Sequence, residues 1–322
     1  MKNIAILDSN EGSEDKNRFL QLSEKLNCEI IYYNEFLKQE SSINKLLISD
    51  SFDSKSFFHI LNKIKIIKPD KLYFLNLEMY SIDNYALISD HSIRNIYPNI
   101  KNLNFIKLLK TSFYLLIRII KIFIIKKIIF ENNTSVIIPS KLRLEKFKAK
   151  KDIKKVLLKN FPTRKVFGEK NYTNYINNIN LENIRYFYLA GNINNYEEFN
   201  KVCKFSKSKN IKVIVSTNNY IPKHCLVCFK DTLILTGTLE TNEVIALMKN
   251  SIACVALYHP KISNLKYCAS SKLFEYMALN KHIVASKVDG IVHEINFYRY
   301  KKIDYINNLE TLDVTKLKVD NN

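Results

Sequence analysis

Short apolar runs alternate along this chain with stretches in which apolar residues recur every third or fourth position. The runs are too brief for helices and lack the polar alternation of a half-wet strand. They predict strands buried on both faces, with amphipathic helices between them. In order, the pattern predicts a strand over Asn3–Asp8, a helix over Lys16–Leu26, a strand over Glu29–Tyr33, a helix over Phe57–Ile67 that ends before Pro69, and a strand over Lys71–Asn76. After a long apolar region come a strand over Val136–Pro139 and a basic helix over Leu142–Lys148. The rhythm then restarts with a strand over Arg185–Ala190, a helix over Tyr196–Ser206, and strands over Lys212–Ser216 and Thr232–Leu235. A helix over Glu240–Asn250, a strand over Ala253–Leu257, a helix starting at Ser270 or Ser271, and a strand over Ile283–Ser286 complete it. Strands alternating with helices predict an α/β fold with parallel sheets.

Asn160-Phe161-Pro162 interrupts a basic run and places a boundary near Lys159–Lys170. The domains expected are 1–165 and 166–295, with 296–322 a tail open to crossing back to the first domain. Asn171–Asn180 is Asn-rich and reads as linker. A length of 322 residues with 47% hydrophobic content supports two cores. The net charge of +19 points to an anionic partner: a phosphorylated substrate, an acidic membrane surface or nucleic acid. Six cysteines, at 28, 203, 225, 228, 254 and 268, are scattered and often lie inside apolar runs, the usage of reduced, buried thiols rather than of a disulfide framework. The first apolar run, Ile4–Leu7, is too short for a signal-peptide core, so a cytoplasmic location is expected.

The chemistry concentrates in Ser270–Ser286. Either hydroxyl, Ser270 or Ser271, suits a helix N-cap, and Asn280 suits the left-handed residue that closes a helix. Lys272 and Glu275, three apart, share one face at the positive end of that helix, where backbone N–H groups point at an anion. A phosphate over the helix start, with hydroxyl groups beside a carboxylate, is the chemistry of a nucleotide sugar. An ordinary capped helix before a buried strand has the same local pattern.

Lys272, Glu275-Tyr276-Met277-Ala278 and the run Ile283–Ser286, followed by the turn Val288-Asp289-Gly290 and by Glu294, resemble the donor-binding motif of GT-B glycosyltransferases, most closely family 4. Weaker likenesses follow in the family's order. Val156–Pro162 resembles the link between domains, Tyr188–Gly191 the strand and Gly turn that open the second domain, and Thr236-Gly237 with Glu243 the turn and acidic helix before the base region. The resemblance implies two Rossmann-like domains with parallel sheets facing a central cleft. It also implies a retaining, metal-independent transfer from a nucleotide sugar, with no cofactor. The acceptor implied is a lipid-linked or surface-polysaccharide glycan, of capsule, O-antigen or lipopolysaccharide type. It assigns Glu275 to ribose or sugar hydroxyls, and Lys272 with Ser270 and Ser271 to the diphosphate. Gly191 and Asn192 join the donor site, Gly12 marks a reduced Gly-rich loop of the first domain, and His91 contacts the transferred sugar.

The departures are specific. The carboxylate that family 4 carries eight positions before Glu275 is Tyr267 here. The turn Asn192–Tyr196 has no cation where many members place Arg and Lys for the diphosphate. A non-catalytic GT-B scaffold or partner subunit is therefore an alternative. A nucleic-acid binder is a remote one, because Lys and Arg are spread along the chain without an RNA-binding signature.

Leu103–Phe130 is apolar yet studded with cations and lacks an acid. At 100° per residue Lys107, Lys110, Tyr114, Arg118 and Lys121 gather on about a third of the circumference. Cations this frequent exclude a spanning helix. The segment fits a basic amphipathic helix on an anionic membrane surface, or a core helix with a solvated lysine edge. The first choice implies a peripheral protein at the inner face of the cell membrane. His224-Cys225-x-x-Cys228 lacks a second ligand pair for zinc, so buried strand cysteines are expected there and no metal.

Overall fold

The computed structural model describes residues 1–7, 13–49, 54–75, 105–131, 133–147, 153–158, 181, 184–218, 221–268 and 270–317. The chain divides into two compact units, Met1–Asn160 with Lys261–Tyr267, and Phe161–Pro260 with Cys268–Asn322.

The first unit runs β1 (Lys2–Leu7), α1 (Ser13–Leu26), β2 (Glu29–Tyr32), α2 (Tyr33–Leu37), β3 (Ile43–Ser49), α3 (Ser54–Ile67) and β4 (Lys71–Leu75). It continues with α4 (Phe105–Glu131), β5 (Thr134–Ile138), α5 (Lys141–Lys146) and β6 (Lys154–Leu157). Its six strands are all parallel, in the order β2-β1-β3-β4-β5-β6. One face is packed by Phe57, Ile60, Leu61 and Ile64 of α3 against Ile4, Leu46, Leu72 and Phe74, and the other by Phe19 and Leu22 of α1. The buried stretches of the central strands, such as Ile4–Leu7 and Leu46–Ile48, are apolar on both faces because helices cover both.

β3 has no counterpart in the sequence prediction. Half-buried Asn44 and Lys45, following the buried Ile43, hide a strand that is continuously buried only from Leu46 onward. It nevertheless pairs with both β1 and β4 in the middle of the sheet.

The second unit runs β7 (Tyr186–Ala190), α6 (Tyr196–Ser208), β8 (Lys212–Ser216), α7 (Lys223–Cys228), β9 (Leu233–Leu235), α8 (Thr241–Asn250) and β10 (Ala253–Ala256). After α9 (Ser263–Lys266), which groups with the first unit, come α10 (Ser271–Ala278), β11 (Ile283–Ala285), α11 (Asp289–Phe297) and β12 (Ile303–Tyr305). The sheet is again all parallel, in the order β12-β11-β10-β7-β8-β9. Strands 3-2-1-4-5-6 of a doubly wound fold have this order, and the order reverses between β7 and β10.

Three expectations change here. The segment after Asn296, read as a tail open to crossing back, instead adds β12 to the second sheet. Its residues Ile306, Leu309, Leu312, Val314 and Leu317 complete the core of that unit. Arg185 fastens this tail by donating to the Val314 and Leu317 carbonyls. Val288-Asp289-Gly290 starts α11 rather than forming a free turn. Cys225 and Cys228 lie on the short helix α7, not a strand. Cys225 is buried, with Sγ 3.2 Å from both Asn200 Oδ1 and His224 Nε2, and Cys228 is exposed. All six cysteines are free.

Candidate functional site

In a parallel sheet every strand ends on the same edge, so the loops after β7, β8, β9, β10 and β11 meet there. Ligands of doubly wound sheets bind at that edge where the strand order reverses. In the second unit this point lies between the Gly191-Asn192 turn after β7 and Leu257-Tyr258 after β10.

Gly191 makes the first turn at φ +90°, a conformation that a side chain would strain. Its N–H donates to the Ser216 carbonyl at 2.9 Å, tying the turn to the end of β8. Beneath it the buried Tyr188 hydroxyl donates to Ser216 Oγ at 2.8 Å, and Ser216 Oγ lies 2.8 Å from Thr236 Oγ1. Gly237, also left-handed at φ +71°, follows at once. Glu243 caps α8, its carboxylate accepting the Glu240 N–H at 2.8 Å.

On the other side of the switch point stands α10. Ser270 is its N-cap, in extended backbone, with Oγ accepting the Lys272 N–H at 3.2 Å. Leu273, Phe274, Tyr276 and Met277 bury one face, and the Tyr276 hydroxyl donates to the Val255 carbonyl of β10 at 3.4 Å. That packing turns Lys272 and Glu275 to the other face, where Lys272 Nζ meets Glu275 Oε2 at 2.9 Å. The pair is largely withdrawn from water, with side chains 22% and 13% exposed. Asn280 follows at φ +54°, the left-handed closure its sequence position predicts. A cation thus sits on the first turn of a helix whose N–H groups carry the positive end of its dipole, with its carboxylate partner one turn further along.

Sequence reasoning overlooked a further contact at this edge. Ser286, fully buried at the end of β11, accepts the Tyr258 N–H at 2.8 Å and donates to the Glu198 carboxylate in the first turn of α6. Burial is the main cause that pushes the Glu198 pKa up. The only local sign of Glu198 was its place three residues after the Asn195 cap, which accepts the Glu198 N–H at 3.2 Å. The partner lies 88 residues away and carries no sequence signal.

The structure therefore brings Ser270, Ser271, Lys272 and Glu275 together in the N-terminal half of one helix, and sets Gly191 and Asn192 at the neighbouring strand end. Gly12 and His91 lie outside the described residues. On α4, Lys110 is exposed, while the side chains of Lys107, Arg118 and Lys121 lie outside the described ones. Tyr267, which stands where the first family carboxylate would, has the Lys146 and Lys266 ammoniums 5.9 and 5.4 Å from its ring centroid, both within cation–π range.

Neither a protein-family model nor a curated protein matches this sequence. Solved structures do. The Anabaena protein HepE, solved in complex with UDP, superposes with a TM-score of 0.56 at 10% identity, over 97% of this chain and 89% of its own. The fold is GT-B. A glycosyltransferase from Rickettsia africae gives a TM-score of 0.51 at 13% identity, over 96% of this chain and 86% of its own. AviGT4, a glycosyltransferase of avilamycin A biosynthesis, gives 0.51 at 7% identity, over 99% and 89%. At such identities the likeness shows the GT-B architecture, two parallel six-stranded α/β units, and the chemistry must be argued from the residues.

Proposed function

We propose that this chain is a glycosyltransferase that takes its sugar from a nucleotide-sugar donor bound over the N-terminus of α10. The observation that carries this reading is the Lys272–Glu275 pair beside the Ser270-capped N-terminus of α10, at the switch point of a parallel sheet. Lys272 and the positive N-terminal end of α10 meet the diphosphate, as a point charge beside oriented dipoles. Glu275 accepts ribose or sugar hydroxyls, and Ser270 and Ser271 flank the phosphates. Gly191, bare of a side chain, lets the donor approach the backbone beside Asn192. HepE, solved with UDP and with UDP-glucose, makes uridine nucleotides the first probes.

The family-4 likeness of Lys272–Ser286 supports a retaining transfer without a metal, of hexosyl type, with the nucleoside diphosphate as leaving group. His91 contacts the transferred sugar in this reading, and Gly12 belongs to the reduced Gly-rich loop of the first domain. The acceptor is a bacterial lipid-linked glycan or surface polysaccharide, met by a peripheral protein at the anionic inner face of the cell membrane. The net charge of +19 and the cation-rich α4, whose only acid is its last residue Glu131, support that placement.

The test is thermal. A nucleoside diphosphate at 100 times its dissociation constant stabilises the protein by about 2.7 kcal/mol. Glu275→Gln loses most of that shift, and Lys272→Ala weakens the diphosphate more than the bare nucleoside. A folded protein whose melting temperature no nucleotide moves would end the donor-site reading.

Tyr267 favours a second reading, a GT-B scaffold that binds nucleotide without turnover. Donor hydrolysis or transfer by the wild-type protein excludes it.

A further inference from the structure

Among the described residues, the longest aligned set of exposed large apolar side chains lies on α4. Ile106, Leu109, Phe113, Leu116, Ile120 and Phe123 are between 45% and 70% exposed. Their spacing alternates three and four, so they form one stripe along about 25 Å of helix. An aligned patch of this length is not the scatter of single apolar residues found on any soluble surface. Ile122, buried, lies about 160° around the helix from Ile106, away from the stripe. Ile124, in line with Ile106 at the stripe's edge, packs against the first-unit core near the C-terminal end of the helix.

We infer that this stripe inserts into the headgroup–acyl boundary of an anionic lipid bilayer, so that α4 lies in the membrane plane. The inference rests on the membrane placement proposed above and deepens it: contact is made by the apolar stripe, with the cations as flanking anchors. No described helix is long and apolar enough to cross a membrane, which leaves the interfacial geometry.

The stripe's spacing would also suit a second copy packing as a coiled coil. Charge decides against that. At 100° per residue, Lys107, Lys110, Arg118 and Lys121 occupy an arc of about 80° adjoining the stripe, whose own width is about 100°. Lys127, exposed and next in the same spacing, closes the stripe with another cation. Glu131 is the one acid of the helix. A second copy would set these cations against their own kind with nothing to neutralise them, whereas anionic headgroups neutralise every one. Lysine stems reaching past a shallowly buried apolar face to the phosphates have the usual interfacial arrangement.

The chain contains no tryptophan, so a single introduced indole reports on the stripe alone. Phe113→Trp is made in the full-length protein, with Leu116→Trp as a second reporter, and circular dichroism verifies that each is folded. Added phosphatidylglycerol vesicles should shift the emission to the blue, and lipids brominated on the acyl chains should quench it; pure phosphatidylcholine should do neither. Phe113→Ser with Phe123→Ser should lower the vesicle partition coefficient by about tenfold, since interfacial binding scales with apolar area buried. Sedimentation with anionic vesicles while both indoles stay unshifted and unquenched overturns the insertion and leaves an electrostatic surface contact. Failure of the wild type to sediment removes the membrane placement itself, and the insertion with it. A blue shift that needs no lipid and grows with protein concentration gives the stripe to a second copy and overturns the inference.

Discussion

The Glu198 carboxyl lies half-buried against the Ser286 hydroxyl, with Glu197 beside it and Lys201 one turn on. Burial raises its pKa, and the Ser286 hydrogen bond and the Lys201 ammonium only partly oppose this. A raised value means that the folded state binds this proton more tightly than the unfolded chain does. The resulting stability is fully present below the unfolded carboxyl value, about 4.3, and is lost as pH rises through the folded value. Glu198→Gln keeps an oxygen for the Ser286 hydroxyl and removes the titration. We expect its melting temperature to fall less than that of the wild type as pH rises from about 4 toward neutrality. Coincident pH profiles for the two proteins would show that the Glu198 carboxyl does not titrate differently on folding. The buried thiols of Cys203 and Cys254 are a companion case: desolvation pushes both up to about 12, so they stay protonated at neutral pH.

α10 shows how an element converts local rules into a site. Its cap, buried face and left-handed closure at Asn280 are independent local preferences that agree on one helix and one orientation. The Ser270 hydroxyl satisfies the Lys272 N–H in the turn that presents Lys272 to Glu275, one turn on. Ser270→Ala should cost about 1 kcal/mol of stability, within the 0.5–2 range for lost N-caps, and should weaken the nucleoside diphosphate as well. Denaturant unfolding with and without nucleotide measures both. A stability loss that leaves nucleotide affinity untouched would separate the helix start from the phosphates. α4 is the contrasting element, since its sequence reads equally as a basic surface helix or a core helix, and only the burial of Ile122, set against the exposed stripe from Ile106 to Phe123, decides which face turns inward.

Each unit of the whole molecule closes its own core around its own sheet. Phe57 and Phe74 lie in the first, and Phe187, Phe199 and the tail residues Ile306–Leu317 in the second. Separate cores can melt separately. Calorimetry should resolve two transitions, with nucleoside diphosphate raising only the second unit's, because only that unit holds the α10 site. Phe74→Ala should lower the other transition, at a cost of about 3–5 kcal/mol for an emptied core site. A single transition that moves as one with ligand and with Phe74→Ala would show that the units unfold together.

The parallel α/β architecture was legible in the sequence because its determinants are local. Strands buried on both faces must be apolar throughout, helices between them must be amphipathic, and both periods are written in consecutive residues. The Lys272–Glu275 face and its Ser270 cap were legible for the same reason, lying within one turn of helix. β3 was not, since Asn44 and Lys45 break its run and only pairing with β1 and β4 makes it a strand. The return of the tail to the second sheet and the meeting of Glu198 with Ser286 were likewise decided in three dimensions. Such contacts join residues distant along the chain, whose side chains satisfy each other only after two strand ends are brought to one edge. Local preference could therefore specify the helix that carries the candidate site, and only the order of strands in the sheet could place its neighbours.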